Sequence, residues 1–165
     1  FKGPYHVDSL MRLPLVWCPA PDRHVVPGVV AAPVGLVDLA PTFCQIAGLS
    51  VPDWMDGEPL PASATEATEQ GRQRVLTEWD SVHPSGVEVH LQTIARDGMV
   101  CTRYELGTCH DGTEGELWDL AEDPLQRINL WDDTSRKSLR DDLLADLADT
   151  LPPRPSNRLR VESTV

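Results

Sequence analysis

The chain has 165 residues, a formal net charge of -12 and a hydrophobic content of 41%. This length supports one ordinary hydrophobic core or two small ones. Its 26 carboxylates against 14 basic side chains argue against a nucleic-acid surface, which needs clustered Lys and Arg. No run of about twenty apolar residues is present, so we expect no membrane span. The sequence does not begin with Met, and its amino end does not resemble a signal peptide, so we expect a fragment. Its cellular compartment and its oligomeric state are left open.

The first part of the chain predicts a loop over residues 1–8, a strand and a short helix. Leu13–Cys18 is a continuous apolar run, typical of a strand that is covered on both faces. Residues 37–48 predict a helix in which Asp38 caps the amino end and Gly48 supplies the left-handed stop. This helix has one apolar face, which needs a sheet or a helix to cover it. The face consists of Leu39, Phe43, Ile46 and Ala47.

The second part predicts a small antiparallel sheet followed by a helix. Residues 48–71 are rich in Pro, Ala, Thr and Ser and predict an irregular connection. Asp97-Gly98 suits a tight hairpin turn between two strand-like segments. After it, Leu139, Leu143, Leu147 and Leu151 recur every fourth residue in a helix capped by Thr134 or Ser135. The predicted strands are 75–79, 87–95, 99–105 and 116–120.

The cysteines and the acidic patches carry weaker signals. No Cys-x-x-Cys pair or zinc-like His spacing is present, and we expect Cys18 and Cys44 to be buried thiols. Cys101 and Cys109 could face each other across the hairpin, but free thiols are favoured. Carboxylates at a helix start are explained by capping, so we expect no metal site in the patches. The patches are 119–123, 132–133 and 141–142.

Several short motifs in a fixed order resemble the carboxyl-terminal part of the sulfatases, the formylglycine-dependent branch of the alkaline phosphatase superfamily. The resemblance covers residues 2 to 151. Each motif is weak alone, but the family's order is kept throughout. The motifs are Lys2-Gly3, Arg12-Leu13-Pro14, Asp38-Leu39-Ala40-Pro41-Thr42 before Ala47-Gly48, Glu116-Leu117-Trp118-Asp119-Leu120, Glu122-Asp123-Pro124 and Asn129-Leu130.

This resemblance implies an α/β fold class and a division into two domains. Residues 1–62 would be the carboxyl-terminal end of the alkaline-phosphatase-like catalytic domain. Residues 72–153 would form a small α+β domain with a four-stranded antiparallel sheet and a C-terminal helix, and residues 154–165 a tail. We expect Asp123-Pro124 and Asn129 to form a structural turn between the last strand and the helix.

The resemblance also suggests which residues meet the substrate. In the family, the Lys of the Lys-Gly motif reaches the sulfate group, so Lys2 is the first candidate for a catalytic, substrate-binding cation. His6 is the second, because an imidazole there could bind a substrate oxygen or transfer a proton. His83 follows a predicted strand where the small domain could lean over the active-site mouth, and it is a third candidate for substrate binding.

The family's nucleophile and metal ligands are not recognisable in this sequence. Sulfatases use a formylglycine made from the Cys of Cys-x-Pro/Ala-x-Arg, together with Ca²⁺. The run Cys18-Pro19-Ala20-Pro21-Asp22-Arg23 resembles that motif, but its basic residue falls one position late and the run follows a late strand. We therefore reject Cys18 as the nucleophile. The resemblance places the formylglycine and the calcium ligands upstream of Lys2.

The function implied is cleavage of a small-molecule sulfate ester by an intact sulfatase, with this fragment alone inactive. One alternative keeps the fold and changes the substrate to a phosphonate monoester or a phosphodiester. Another is a non-catalytic acidic interaction module whose resemblance is confined to structural motifs.

Overall fold

The structure, a computed structural model, describes residues 5–18 and 27–151. These residues form two compact units. The helical unit is the described part of Pro14–Val75, and the sheet unit is the described part of Phe1–Leu13 and Leu76–Val165. Residues 5–13 thus group with the sheet, whereas the sequence prediction joined them to the helix that follows. Lys2 and the tail 154–165 lie outside the described residues.

The sheet has four strands in the order β1-β2-β3-β4, as predicted. β2 and β3 pair antiparallel with Thr93 opposite Thr102, and β3 and β4 pair antiparallel with Cys101 opposite Leu117. Successive strands are therefore neighbours, the arrangement of a simple meander. The strands are β1 Arg74–Val82, β2 Glu88–Arg96, β3 Met99–Tyr104 and β4 Gly115–Asp119.

The turn between β2 and β3 is the tight hairpin that the sequence predicts. Asp97 has a φ of 53° and Gly98 a φ of 77°. Two consecutive residues with positive φ give a turn whose twist matches that of the flanking strands, and Asp-Gly tolerates this conformation best. The hairpin register follows from this turn.

The core of the sheet unit lies between one sheet face and the last helix. The described helices are α1 Asp8–Met11, α2 Leu39–Ile46, α3 Ala64–Gln70 and α4 Lys137–Thr150. In α4, Leu143 and Leu147 are buried against the sheet, with Leu139, Leu144 and Leu151 partly buried beside them, as the four-residue repeat predicts. The buried core is Ile94, Met99, Cys101, Leu117, Trp131, Leu143 and Leu147.

A short 3₁₀ turn, Thr134–Arg136, precedes α4, and its cap differs from the prediction. Asp133 accepts from the Ser135 backbone N–H at 2.8 Å, so the cap is neither Thr134 nor Ser135. The carboxylate of Asp133 reaches the free N–H groups and also suits the positive end of the helix dipole.

The start of α2 corrects another prediction. Asp38 makes no side-chain cap to α2, because a 3₁₀ turn, Leu36–Asp38, comes first and turns its carboxylate away. Gly48 has a φ of 70° and ends the helix as predicted. The apolar face is exposed in the helical unit, where Phe43 is 60% and Ile46 51% accessible.

Three further local predictions are wrong. Residues 13–18 form no strand among the described residues. A β-strand needs a neighbouring strand with which its backbone forms hydrogen bonds, and this segment is not paired in that way. The loop predicted over residues 1–8 ends one residue too late, because Asp8 already begins α1. Helix α3 lies in the stretch predicted to be irregular. There Ser63 accepts from the Glu66 N–H at 3.1 Å, a Ser-x-x-Glu helix start that the sequence contained.

The four cysteines are free thiols. Cys101 is buried, but Cys18 is exposed and Cys44 only half-buried, so their predicted burial is wrong for the first and incomplete for the second. Cys18 and Cys44 each lie next to an apolar residue that is itself exposed. No helix in the described part of the chain is long and apolar enough to cross a membrane.

Candidate functional site

The candidate site is the amino-terminal segment, residues 5–13, where it lies on the sheet unit. His6 is only 4% accessible, and its Nδ1 shares a hydrogen bond of 2.6 Å with Thr93 Oγ1 on β2. Thr93 Oγ1 lies 2.8 Å from Thr102 Oγ1 on β3. These threonines are cross-strand partners, so their side chains lie on the same sheet face. His6 is therefore attached to a buried chain of two hydroxyls.

The surroundings of His6 favour a neutral imidazole. Burial lowers the pKa of His6, because a charged imidazolium would lose its hydration, while the nearby carboxylate of Glu116 raises it in part. Tyr104 donates a hydrogen bond of 2.5 Å to Glu116 on the same face. Burial raises the pKa of Tyr104, and the bond to Glu116 adds to the shift, so its hydroxyl stays protonated.

A second contact attaches the same segment. The backbone N–H of Asp8, at the start of α1, donates to Gln126 Oε1 at 2.7 Å. Gln126 follows β4 and has a φ of 51°, a left-handed conformation that costs a non-glycine residue energy. Its Nε2 is buried and has no hydrogen-bond partner in the part of the chain that the structure describes. Gln126 therefore has a strained backbone, and its one hydrogen-bonded side-chain atom, Oε1, binds the first turn of α1.

His83, the third predicted site residue, has a different environment. It is exposed in the connection between β1 and β2, where its Nδ1 lies 2.7 Å from Ser85 Oγ and its backbone N–H donates to Val87 at 2.8 Å. His6 and His83 are thus engaged by separate partners. The substrate-binding role of His83 stays a prediction, as does that of Lys2.

The α4 side of the sheet carries a separate polar cluster. His90 pairs with Asp80, Gln92 donates to Glu78 at 3.0 Å, and Arg103 reaches Glu105 at 3.2 Å. Only a small void of about 10 Å³ lies beside these groups. Their mutual pairing accounts for them as support between strands. No group of three or more His, Cys, Asp or Glu in residues 5–18 and 27–151 could hold a metal ion.

The helical unit contains an open cleft of about 290 Å³, with a buried ion pair at its wall. Asp38 accepts from Arg72 Nη2 at 2.7 Å, from the Glu58 N–H at 2.9 Å and from the Gly35 N–H at 2.7 Å. Every one of these bonds closes a loop of the unit itself. The Asp of the Asp-Leu-x-Pro-Thr motif is thus a structural residue here.

Sequence reasoning missed the groups that hold His6. Thr93 and Gln126 were not singled out, since Thr is an ordinary strand residue and a turn Gln has no signature. The alternation of side chains along β2 puts Leu91, Thr93 and Ala95 on one face, but only the fold shows that His6 contacts Thr93 there.

The family model described as N-sulphoglucosamine sulphohydrolase, C-terminal, matches residues 5–151. A search of curated proteins finds no match.

Solved structures with similar folds are sulfatases and a related hydrolase. A putative sulfatase from Bacteroides thetaiotaomicron is 29% identical with a TM-score of 0.57, covering 68% of this chain and 23% of that protein. A 2-O GAG sulfatase gives the same identity, TM-score and coverage. The phosphonate monoester hydrolase of Agrobacterium radiobacter is 25% identical with a TM-score of 0.52, over 69% and 25% of the two chains.

This chain therefore spans about a quarter of the length of the solved structures that it resembles. The four-stranded sheet with its C-terminal helix confirms the predicted fold class. The family match extends over all of the described residues and agrees with the sulfatase resemblance of the motifs. The chain belongs to the N-sulphoglucosamine sulphohydrolase C-terminal family.

Proposed function

We propose that this chain forms the carboxyl-terminal part of a sulfatase that cleaves small-molecule sulfate esters, and that Lys2 contacts the sulfate group. The observation that carries the proposal is the family match over residues 5–151. The structural likeness to a 2-O GAG sulfatase supports the sulfate-ester class. Lys2 precedes the first matched residue by three positions, in the Lys-Gly motif.

The chemistry assigned to Lys2 is electrostatic. Negative charge builds on the oxygens of a sulfate group as it is transferred, and a fixed ammonium lowers the energy of that state more than the energy of the bound ester. Lys2 and Lys137 are the two lysines of the sequence. Lys137 lies in α4 and pairs with Asp141, so Lys2 is the lysine left for this role.

The formylglycine and the Ca²⁺ that the family resemblance implies do not fit the described residues. The described residues offer no metal-holding group, and Cys18 is an exposed thiol outside the family's nucleophile motif. We therefore derive no step through either group. Our proposal assigns both to parts of an intact enzyme beyond these 165 residues.

A second candidate function is hydrolysis of a phosphonate monoester or a phosphodiester. The likeness to the phosphonate monoester hydrolase favours it, since that protein shares the fold over 69% of this chain at 25% identity. Sulfate and phosphoryl transfer both build charge on non-bridging oxygens, so Lys2 would serve either reaction.

The test is turnover by an intact enzyme that contains this chain. Lys2→Ala is expected to lower kcat for 4-nitrophenyl sulfate by about 10² to 10³, the usual effect of removing one charge-stabilising donor. Lys137→Ala is the matched control and should leave kcat unchanged, because Lys137 is 64% accessible and its ion pair within the described ranges is with Asp141 of the same helix.

Three results are decisive. Unchanged turnover in Lys2→Ala would remove Lys2 from the site. Faster hydrolysis of phenyl 4-nitrophenylphosphonate than of the sulfate ester, by the unaltered enzyme, would favour the phosphonate alternative. If the intact protein cleaves neither ester, this result would contradict the proposed hydrolase function and support the acidic interaction module.

A further inference from the structure

Residues 5–13 contact the sheet face opposite α4. Four polar groups converge there from distant parts of the sequence. His6 and Asp8 come from the amino-terminal segment, Thr93 from β2 and Gln126 from the loop after β4. The segment would otherwise have only the short helix α1 to order it, and a four-residue helix is unstable by itself.

We infer that His6 is a positioning residue, which anchors the amino-terminal segment to the sheet through Thr93 and thereby holds Lys2 in place. This inference rests on the proposed function of Lys2. It assigns a task to the small sheet, which becomes a support for the segment that follows the proposed substrate-binding cation.

The geometry of His6 supports anchoring over contact with substrate. Its ring is 4% accessible, and Nδ1 is bonded to a hydroxyl that is itself bonded to Thr102. A group that bonds substrate or transfers a proton needs an accessible nitrogen directed at the reacting atoms. A buried imidazole with a specific buried partner instead fixes the backbone that carries it.

The anchor at His6 is close to Lys2 in the sequence. Three residues lie between them, and a chain segment of that length is short, since even an extended chain spans at most about 3.6 Å per residue. Misplacing a catalytic group by as little as 1 Å can reduce turnover about a hundredfold. A fixed His6 therefore narrows the positions available to Lys2.

The second attachment, at Asp8, also fixes the direction in which the segment runs across the sheet. Asp8 is held by Gln126 from β4's side of the sheet, and His6 is held by β2, so two bonds fix both the position and the course of the segment. The left-handed φ of Gln126 and its unpaired Nε2 both cost energy. The structure keeps this costly residue where its Oε1 accepts from Asp8.

The test measures anchoring and turnover separately in the intact enzyme. Amide hydrogen exchange of residues 5–13, followed by mass spectrometry, reports on the anchor. The kcat for 4-nitrophenyl sulfate reports on Lys2. Thr93→Val keeps the side-chain shape but removes the hydroxyl, so we expect at least tenfold faster exchange of the segment and about tenfold lower kcat, with little change in KM.

Conservative variants separate positioning from catalysis. In His6→Asn the amide takes the place of Nδ1 and keeps a bond to Thr93, so we expect most of the protection and turnover to remain. Thr93→Ser should likewise restore both. Thr68→Val is the matched control, since Thr68 is exposed on α3 and its hydroxyl bonds only Ala64 within that helix.

A second variant guards against misfolding of Thr93→Val. Gln126→Asn tolerates the left-handed backbone but withdraws the amide from Asp8, and we expect faster exchange confined to the segment. Unchanged protection in both Thr93→Val and Gln126→Asn would overturn the inference. So would loss of turnover in His6→Asn with full protection, because His6 would then act on substrate directly.

The outcome for the proposed function is distinguishable. If Lys2→Ala keeps full turnover, the proposed role of Lys2 fails, whatever the exchange data show. If Lys2→Ala is inactive but Thr93→Val loosens the segment without lowering kcat, the proposed function stands and the positioning role of His6 is refuted.

Discussion

At the residue scale, the described part of the site depends on uncharged polar groups in a buried setting. His6, Thr93 and Thr102 form a short chain of hydrogen bonds, and none of them needs a charge to be satisfied. Neutral groups are easier to bury than ions, because they lose less hydration. The imidazole is the exception, since it gains a proton in mildly acidic solution.

The first prediction at this scale concerns pH. The folded-state pKa of His6 lies below the ordinary value of 6.5, so the unfolded chain binds a proton more readily than the folded one. The stability due to the neutral ring is fully present above pH 6.5 and is lost as the pH falls toward the lowered pKa. We expect the free energy of unfolding to fall more between pH 7.5 and 5.5 in the unaltered chain than in His6→Asn.

Urea unfolding at both pH values measures this difference. Other groups that titrate in the range are common to both chains, so they cancel in the comparison. Equal losses of stability in the two chains would show that His6 keeps an ordinary pKa when folded.

At the scale of elements, β2, β3, β4 and α4 enclose one buried core, while α2 of the other unit has an exposed apolar face. Arg96 at the end of β2 pairs with Asp142 and Asp146 of α4, which fixes the helix along the strand. Asn129 connects β4 to the turn before α4, accepting from Leu117 and Trp131 and donating to Gly115, all at 3.0 Å. The predicted structural role of Asn129 is confirmed.

The prediction at this scale is the cost of removing a leucine from α4. Leu147 is fully buried, and Leu147→Ala leaves a cavity that the rigid sheet cannot close, so we expect about 3 kcal/mol of lost stability. Leu106→Ala is the matched control. Leu106 is 72% accessible, and its truncation should change stability by no more than about 0.5 kcal/mol. Urea unfolding of both variants measures the difference, and similar losses would contradict the assigned core.

At the scale of the whole molecule, the sequence contains Lys2 as the candidate substrate-binding cation and a small sheet proposed to support it. It contains no recognisable sulfatase nucleophile motif. Several large apolar side chains of the helical unit are also exposed, including Trp54 at 77% and Val16 at 91%. Exposed apolar surface of this extent is typical of a region that another surface covers. This exposed surface agrees with our proposal that the chain forms one part of a sulfatase.

The corresponding prediction is that the purified 165-residue chain releases no sulfate from 4-nitrophenyl sulfate. Charge stabilisation by Lys2 cannot replace a missing nucleophile, because it lowers the barrier of a reaction that must first have an attacking group. The intact enzyme under identical conditions is the positive control. Measurable sulfate release by the chain alone would require a nucleophile among its own residues.

The sequence by itself determined the sheet unit, because local signals there agree with each other. Asp97-Gly98 suits only a tight turn, alternating strands flank it, and the leucine repeat of α4 is long enough to be unambiguous. The motif order also identified the family, since it depends on residue identity and not on contacts.

Only the tertiary structure decided which polar groups meet. Asp38 looked like a helix cap until Arg72, 34 positions later, proved to be its partner. The sequence suggested a catalytic or substrate-binding role for His6, but only the fold shows that Thr93, 87 positions later, is its hydrogen-bond partner. The apolar run of residues 13–18 formed no strand, because a strand is stabilised by its neighbours. Pairings between distant residues depend on the folded path of the chain, and no short pattern records that path.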